Sequence, residues 1–571
     1  MALKAWYLGN TTIRNARRLK DGLRVLVNSK LHGNLEGTEN EQEFAKLLDQ
    51  EGVVYLSRLH ENPDSNVSDV GRKWRAALMQ LGFIRPSSDV LKRLNMHFQA
   101  YTVTPNGLRL LEASTLPMEQ ECFLRALLAH QIPSPIESFP GSVFSPLRIV
   151  LETLSLLEKK GYDSSISKEE MGTIVQLVTN IEDVPVAVKR ISEFRNQISS
   201  YNTPRQRRDF IREYREGYAA GTPTQSAETL MDYADSNFRY LKLTGLFVEN
   251  GSKLRIAEHK KTMVQQILAT PYQPIPSSEY LHVLWNGSSL PTDDQLQAVE
   301  SIQSLLNFLR EHGEEIAVPN LWQMNVADLS QLRLELEDTW LKVLEKQYAD
   351  KQVSEWKNIV EYLRALTHPI RERSIIPRGE APAYLEWVLW RAFLAINSLV
   401  NKPWEARRFR IDEEFMPLGT APGGGPDMIF EFEHFVLVVE VTLTSSSRQE
   451  AAEGEPVRRH IAQLYDEYYS KGKRVYGLFI ANNIDTNTAE TFRIGVWYRA
   501  DDSKMALDIV PLTLSQFADL FEAGFSEGRK LDCVIVEQLI RDCLAESRSE
   551  APEWKRRIQQ RVNNVVERIK A

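Results

Sequence analysis

Cysteine is scarce. Cys122, Cys533 and Cys543 are the three present in 571 residues, too few and too scattered for a disulfide framework or a zinc cluster. No apolar run approaches the roughly 18–20 residues that a membrane span needs. The N-terminus MALKAWYLGN lacks the apolar core of a signal peptide, so the expectation is a cytoplasmic protein with no membrane partner. P-loop, GxSxG, paired-histidine zinc and dinucleotide-binding signatures are also missing, which leaves ATP-driven translocation and serine-hydrolase chemistry unsupported. Nor is there a repeat of solenoid period or a long low-complexity stretch.

What is present is a chain several times the length of a common domain, so two to four folded units are expected. Hydrophobic residues at 43% and charged residues at 26% are near globular averages. The net charge of −8 is uneven: residues 1–290 carry 35 Lys+Arg and 32 Asp+Glu, and the remainder 34 and 45. A strongly basic face is therefore not indicated overall, but phosphate is bound by local patches. Pro-rich breaks divide the chain: Gln131 to Ser142, Thr270 to Ser278 and His368 to Pro382. They place units at 1–135, 136–270, 271–375 (a helical, acidic linker) and 376–571. In the last, short β-branched runs alternate with helices in α/β fashion.

The first two units share an arrangement. Val70, Trp74, Ala77, Leu78 and Leu81 recur at helical spacing, with Arg72, Lys73 and Arg75 on the other face. Tyr101-Thr-Val-Thr-Pro-Asn-Gly then reads as strand and turn before a helix from Leu108. In the second unit, helix Ala227–Tyr240 precedes an extended run to Val248, a turn at Glu249-Asn-Gly-Ser and a returning strand Lys253-Leu-Arg-Ile. Helices followed by a tight hairpin suggest winged helices, which place one helix in the DNA major groove and the wing on backbone phosphates. Ordinary packing helices would give the same pattern singly; two in tandem favour DNA. Arg205, Arg207, Arg208, Arg212 and Arg215, and the group Arg14, Arg17, Arg18 and Lys20, are further phosphate-contact candidates, although such patches are commonly solvated faces.

The most informative segment runs from Gly423-Gly-Gly-Pro-Asp through Val441. A turn at Glu433-His434 makes opposed residues sum to 867, which sets Asp427 across from Glu440. Such partners have Cβ atoms about 4.5–5.5 Å apart on one face. Two carboxylates so close repel unless a cation lies between them, and oxygen ligands suit Mg²⁺. Glu440 also sits in the apolar run Val436 to Val441, typical of a strand covered on both faces, where an acid needs a partner. Two further acids stand near: Glu386 in an otherwise apolar helix, where pairing with Arg391 is the bland alternative, and Glu453, read as lying just before a helix, where it would favour the positive dipole end.

Pro426-Asp427 followed by Glu440-Val-Thr442 resembles the PD-(D/E)xK nuclease core, with Thr442 in place of the lysine. Several blocks also resemble the AlwI-like type IIS restriction endonucleases, the group that includes PleI and the nicking enzyme BstNBI: Leu385-Glu-Trp, Pro426-Asp-Met, Val439-Glu-Val-Thr, Glu453-Gly-Glu-Pro-Val-Arg-Arg-His, Tyr476-Gly-Leu-Phe-Ile-Ala and Val510-Pro-Leu-Thr-Leu-Ser-Gln-Phe, with Glu193-Phe-Arg-Asn and Leu243-Thr-Gly-Leu-Phe-Val further upstream. The likeness extends over about 145–520. It implies a multidomain α+β bacterial protein with winged-helix recognition subdomains, a helical linker and a C-terminal α/β nuclease. Its partner would be double-stranded DNA, bound at a short asymmetric site of the GGATC or GAGTC type and cut a few base pairs away with Mg²⁺. Asp427 and Glu440 would ligate the metal, and Glu386 and Glu453 would complete the catalytic acids. With the lysine absent, Glu453 is the candidate to orient and deprotonate water; Thr442 can only hydrogen-bond, and His460 is a candidate phosphate contact or a structural histidine. The resemblance leaves open a nicking enzyme that needs a transient dimer or a second nuclease subunit. A DNA-binding regulator with an inactive nuclease-like domain is the alternative from another class, and a repair or transposition nuclease is a third reading.

Overall fold

The computed structural model describes residues 4–13, 15–220, 226–368, 374–444, 448–528 and 531–571. Two compact units emerge, 1–340 and 341–571. No helix among the described residues is long and apolar enough to cross a membrane.

The first unit is largely helical. One hydrophobic cluster draws on Trp6, Phe44, Trp74 and Phe123 as well as Leu154, Phe238 and Leu254, so the segments on either side of the 131–141 loop share one core. The helix Ser277–Asn286 adds Tyr280, Leu281 and Trp285 to that cluster. Part of the expected linker is thus core of the first unit, because its apolar stripe needs a partner surface.

The stretch from Tyr101 differs from the sequence expectation. The helix there starts at Pro105, not Leu108, and runs to Glu112. The Thr104 Oγ1 accepts from the Gly107 N–H at 3.1 Å, and proline in the first helical turn lacks only a donor that would go unused. Pro-Asn-Gly is therefore a helix start and not a turn. Strand pairing reduces to a single bridge, Ile84 with Val103.

The second expected hairpin is present. The helix Ala227–Lys242 leads to β2 (Phe247–Asn250) and β3 (Lys253–Ile256), paired antiparallel with Asn250 opposite Lys253. Gly251 and Ser252 between them both have positive φ, 58° and 62°, the backbone that a two-residue hairpin turn requires. β1 (Ile166–Ser167) joins β3, giving the order β1-β3-β2.

The second unit is built on a four-stranded mixed sheet of order β4-β5-β6-β9: Met428–Glu431, Phe435–Thr442, Arg474–Ala481 and Asp508–Thr513. A small hairpin, β7 (Val496–Tyr498) with β8 (Lys504–Ala506), precedes the last strand. β4 and β5 are antiparallel, whereas β5-β6 and β6-β9 are parallel. Parallel neighbours need a crossover, supplied first by the helix Arg448–Ser470 and then by Thr486–Ile494.

β5 is covered on both faces, which explains its near-continuous apolar run. Phe435, Leu437 and Val439 face the cluster containing the helix Ala381–Ile396, whose residues 383–396 are all buried. Val436 and Val438 face Val457 and Ile461 of the Arg448–Ser470 helix. The helix Trp356–Leu366 contributes Ile359, Leu363 and Leu366 to the same cluster as Ala381–Ile396. The expected boundary at 376 would strip that helix from the core it fills.

Candidate active site

The register expected from the sequence is the one observed. Met428 faces Val439, Ile429 faces Val438 and Glu431 faces Val436, and the Phe432 N–H donates to the Phe435 carbonyl at 2.8 Å to close the turn. Asp427, one position before β4, therefore lies beside Glu440. Its Oδ2 accepts from the Val441 N–H at 2.8 Å, which fixes the carboxylate at the carboxyl end of β5.

Glu440 is 6% exposed. It projects on the face of Val436 and Val438, towards the Arg448–Ser470 helix, and its Oε1 meets His460 Nδ1 at 2.7 Å. His460 is buried too, and its Nε2 has no hydrogen-bond partner among the described residues. Glu453 comes from the same helix, about two turns earlier, beside the Thr442 hydroxyl. Glu453 is not at a helix entrance, as read from sequence. The helix begins at Arg448 and carries Pro456 within it. Proline removes only one intrahelical bond, to the carbonyl of Ala452, and Ala452 lies on the exposed side.

Glu386 arrives from the opposite face of the sheet and is 5% exposed. Pairing with Arg391 is excluded: that guanidinium donates to Gln352 at 2.7 Å and Asn358 at 2.8 Å and lies 4.5 Å from the Trp387 ring centroid. Glu386 Oε2 instead accepts from the Ala421 N–H at 2.7 Å. With Thr420, Thr442 and Thr444 it lines a cleft of about 340 Å³. Clefts at strand carboxyl ends are where α/β sheets place ligands.

The electrostatics follow from crowding. Burial and then the charge of Asp427 push the Glu386 carboxyl up to about 9. Burial and then Glu440 push Asp427 up to about 7, against the pull of the Val441 N–H. Glu440 is raised by burial, with His460 opposing, and Glu453 is raised by burial, with the Thr442 hydroxyl opposing. Acids that resist ionisation together form a site a cation would complete. Among the described residues no group of three or more His, Cys, Asp or Glu side chains is placed to hold a metal ion. The opposed carboxylates Asp427 and Glu440 are a two-residue donor set suited to a hard cation that takes its remaining ligands from water or phosphate oxygens.

Of the expected DNA contacts, Lys73 pairs with Asp69 at 3.2 Å and Arg75 with Glu41 at 2.8 Å, while Arg72 is exposed. Arg205, Arg207 and Arg208 are exposed on the helix Pro204–Ala220, which buries no residue fully. Arg207 donates to the Tyr201 carbonyl at 2.9 Å, and Arg212 pairs with Asp209 at 3.0 Å. The group near the N-terminus is structural instead. Lys20 is buried against Glu119 at 2.7 Å, Arg17 is buried, and Arg18 donates to the carbonyls of Gly52 and Val53; Arg14 lies outside the described residues. Folding made these side chains anchors between segments, which their spacing alone did not reveal.

Two residues at the site were not singled out in the sequence. Arg408 donates from Nη1 to the Pro426 carbonyl at 2.9 Å. Gln449, fully buried, donates to the carbonyls of Thr444 and Asn483 and accepts from the Asp485 N–H. Gln449 thereby ties the exit of β5 to the end of β6. Neither sits in a periodic pattern; the Arg407-Arg408-Phe409-Arg410 run was the one available signal.

No curated protein matches the chain. Among the solved structures similar in part are two. One is the small subunit (R.BspD6I2) of the heterodimeric restriction endonuclease R.BspD6I, with 25% identity, coverage of 36% of this chain and 98% of that one, and a TM-score of 0.29. The other is the BpuJ1 endonuclease binding domain in complex with pyrene- and phenanthrene-modified DNA, with 10% identity, coverage of 47% and 84%, and a TM-score of 0.31. The family match is far broader: over residues 79–520 the chain matches the AlwI restriction endonuclease, and it belongs to that restriction endonuclease family.

Proposed function

We propose that the protein is a Mg²⁺-dependent type IIS restriction endonuclease that binds a short asymmetric site of the GGATC or GAGTC type. It would hydrolyse phosphodiester bonds a few base pairs outside that site. Family membership supplies the restriction-enzyme and DNA part of this reading. The observation that carries the rest is the hairpin register that opposes Asp427 and Glu440, with Glu386 and Glu453 at the same strand end. The sheet with its flanking helices is read as a PD-(D/E)xK core, and β1 to β3 with the Ala227–Lys242 helix as a winged helix.

Asp427 and Glu440 would hold the metal, which when bound polarises the scissile phosphate and lowers the pKa of a coordinated water. His460 holds the Glu440 carboxylate in its rotamer. Glu453, next to the Thr442 hydroxyl, receives the proton of the attacking water in place of the missing lysine. Glu386 closes the cleft from the other face of the sheet. The Pro204–Ala220 helix offers phosphate contacts through Arg205, Arg207 and Arg208, and Arg72 is a further one. A single carboxylate cluster acts on one strand at a time, so both strands are cut either in succession at one site or with a second copy or a second nuclease subunit.

The test is DNA cleavage in Mg²⁺ with wild type, Asp427→Ala and Glu440→Gln. Each substitution is expected to lower cutting by about 1,000-fold or more and to leave DNA binding in Ca²⁺ intact. Binding without cutting in the wild type would favour a regulator instead.

A further inference from the structure

In the wider nuclease motif a lysine stands two residues after the glutamate; here that position is Thr442, which brings no charge. A cation whose charge acts on the acids comes from another part of the fold. The bridge between Arg407 and Met428 lays this segment along the start of β4, and Arg408 is the next residue. Its Nη1 donates to the carbonyl of Pro426, the residue before Asp427, at 2.9 Å. A Cβ added at Gly425 would stand 2.5 Å from that nitrogen and 2.9 Å from Cζ. The guanidinium therefore lies against the loop backbone in space that only glycine leaves open.

Its neighbours are committed elsewhere. Arg407 forms a two-pronged pair with Glu345 at 2.7 and 2.8 Å, and Arg391 is held by Gln352 and Asn358. Arg408 makes no ion pair among the described residues and is partly exposed, so most of its donors are open to a ligand. Its charge also acts on both Asp427 and Glu386.

We propose that Arg408 is a catalytic residue that supplies the positive charge of the absent lysine, its guanidinium donating to a non-bridging oxygen of the scissile phosphate, while Glu453 takes the proton of the water. The Pro426 carbonyl aims it, and the glycine at 425 makes room. This inference rests on the nuclease reading. As the water oxygen bonds to phosphorus and the 3′ oxygen departs, charge shifts over the phosphoryl oxygens, and a fixed guanidinium stabilises it. No proton passes to or from the arginine, which stays charged throughout.

The experiment is single-turnover cleavage of supercoiled plasmid by the full chain in Mg²⁺, with binding in Ca²⁺ and melting temperature measured alongside. Arg408→Ala is expected to slow cutting by about 100-fold and Arg408→Lys by about 10-fold, with binding within about threefold of wild type. Arg408→Gln keeps a donor for the Pro426 carbonyl without the charge, so it is expected to be as slow as Arg408→Ala even if the alanine variant melts early. A methylphosphonate at the mapped scissile position removes the contacted charge, and the penalty of Arg408→Gln should then largely disappear. Arg408→Gln cutting at the wild-type rate while Asp427→Ala is inactive would overturn the role of Arg408 and leave the nuclease reading standing. Wild type that binds and never cuts would overturn both.

Discussion

Asp427 carries an unfavourable burden in the metal-free protein. Its folded pKa of about 7 lies above the ordinary 3.8, so the folded state holds more protons than the unfolded chain between those values. Stability then falls as pH rises from about 4 to about 7. Asp427→Asn keeps an oxygen for the Val441 N–H and removes that loss. It should stabilise the metal-free protein at pH 8 by up to about 4 kcal/mol, a gain that fades towards pH 4; urea titrations at both values measure it. A variant less stable than wild type at pH 8 would show that the site is not crowded with negative charge. The same protons oppose a cation. Mg²⁺ should bind more tightly at pH 8 than at pH 6 and release protons as it does so, visible by calorimetry in buffers of different ionisation enthalpy.

At the scale of elements, the hairpin was the most legible part of the fold. A two-residue turn and a period of two leave one register for Asp427 and Glu440, and the structure has it. Helix starts were harder to read. Pro456 mimics an N-terminus, yet it lies inside Arg448–Ser470, and Pro105 looks like a turn residue although Thr104 caps a helix there. Arg408 and Gln449 were invisible because their roles depend on segments brought together only in the fold. The same reason made Arg17 and Lys20 look like surface charges. On the Pro204–Ala220 helix, charge spacing did indicate exposure. Replacing Arg205, Arg207 and Arg208 together by alanine should weaken DNA binding and reduce the slope of log K against log salt by up to about 3; an unchanged slope would remove this helix from the interface.

A different element-scale device holds the first unit together. Glu337 of the helix Val326–Lys351 is buried with Lys260 at 2.6 Å and Arg333 at 2.9 Å, and Arg333 also reaches Glu121. Burial alone would raise the Glu337 carboxyl, but Lys260 and Arg333 hold it down at about 2. This contribution to stability is full above the ordinary value of 4.5 and is lost as pH falls through about 2. Glu337→Ala leaves the buried Lys260 without its anion and Arg333 with Glu121 alone, and should destabilise the unit by about 3–5 kcal/mol, read by chemical denaturation.

The whole molecule divides into two compact units, 1–340 and 341–571; the acidic surplus is concentrated in residues 291–340, with 2 Lys+Arg and 10 Asp+Glu, whereas the second unit carries 32 and 35. A second unit without a basic surplus would hold DNA weakly by itself and rely on the local basic patches of residues 1–290 for affinity. Reading by one unit and cutting by the other would place the scissile bonds at a fixed distance from the bound sequence. The most direct measurement is incubation of supercoiled plasmid with the full chain and Mg²⁺, beside Asp427→Ala, with the ends mapped on both strands. The account predicts discrete cuts at one offset from one short sequence, absent in the variant. Sequence-specific binding with no cut on either strand, in Mg²⁺ or Mn²⁺, would contradict it.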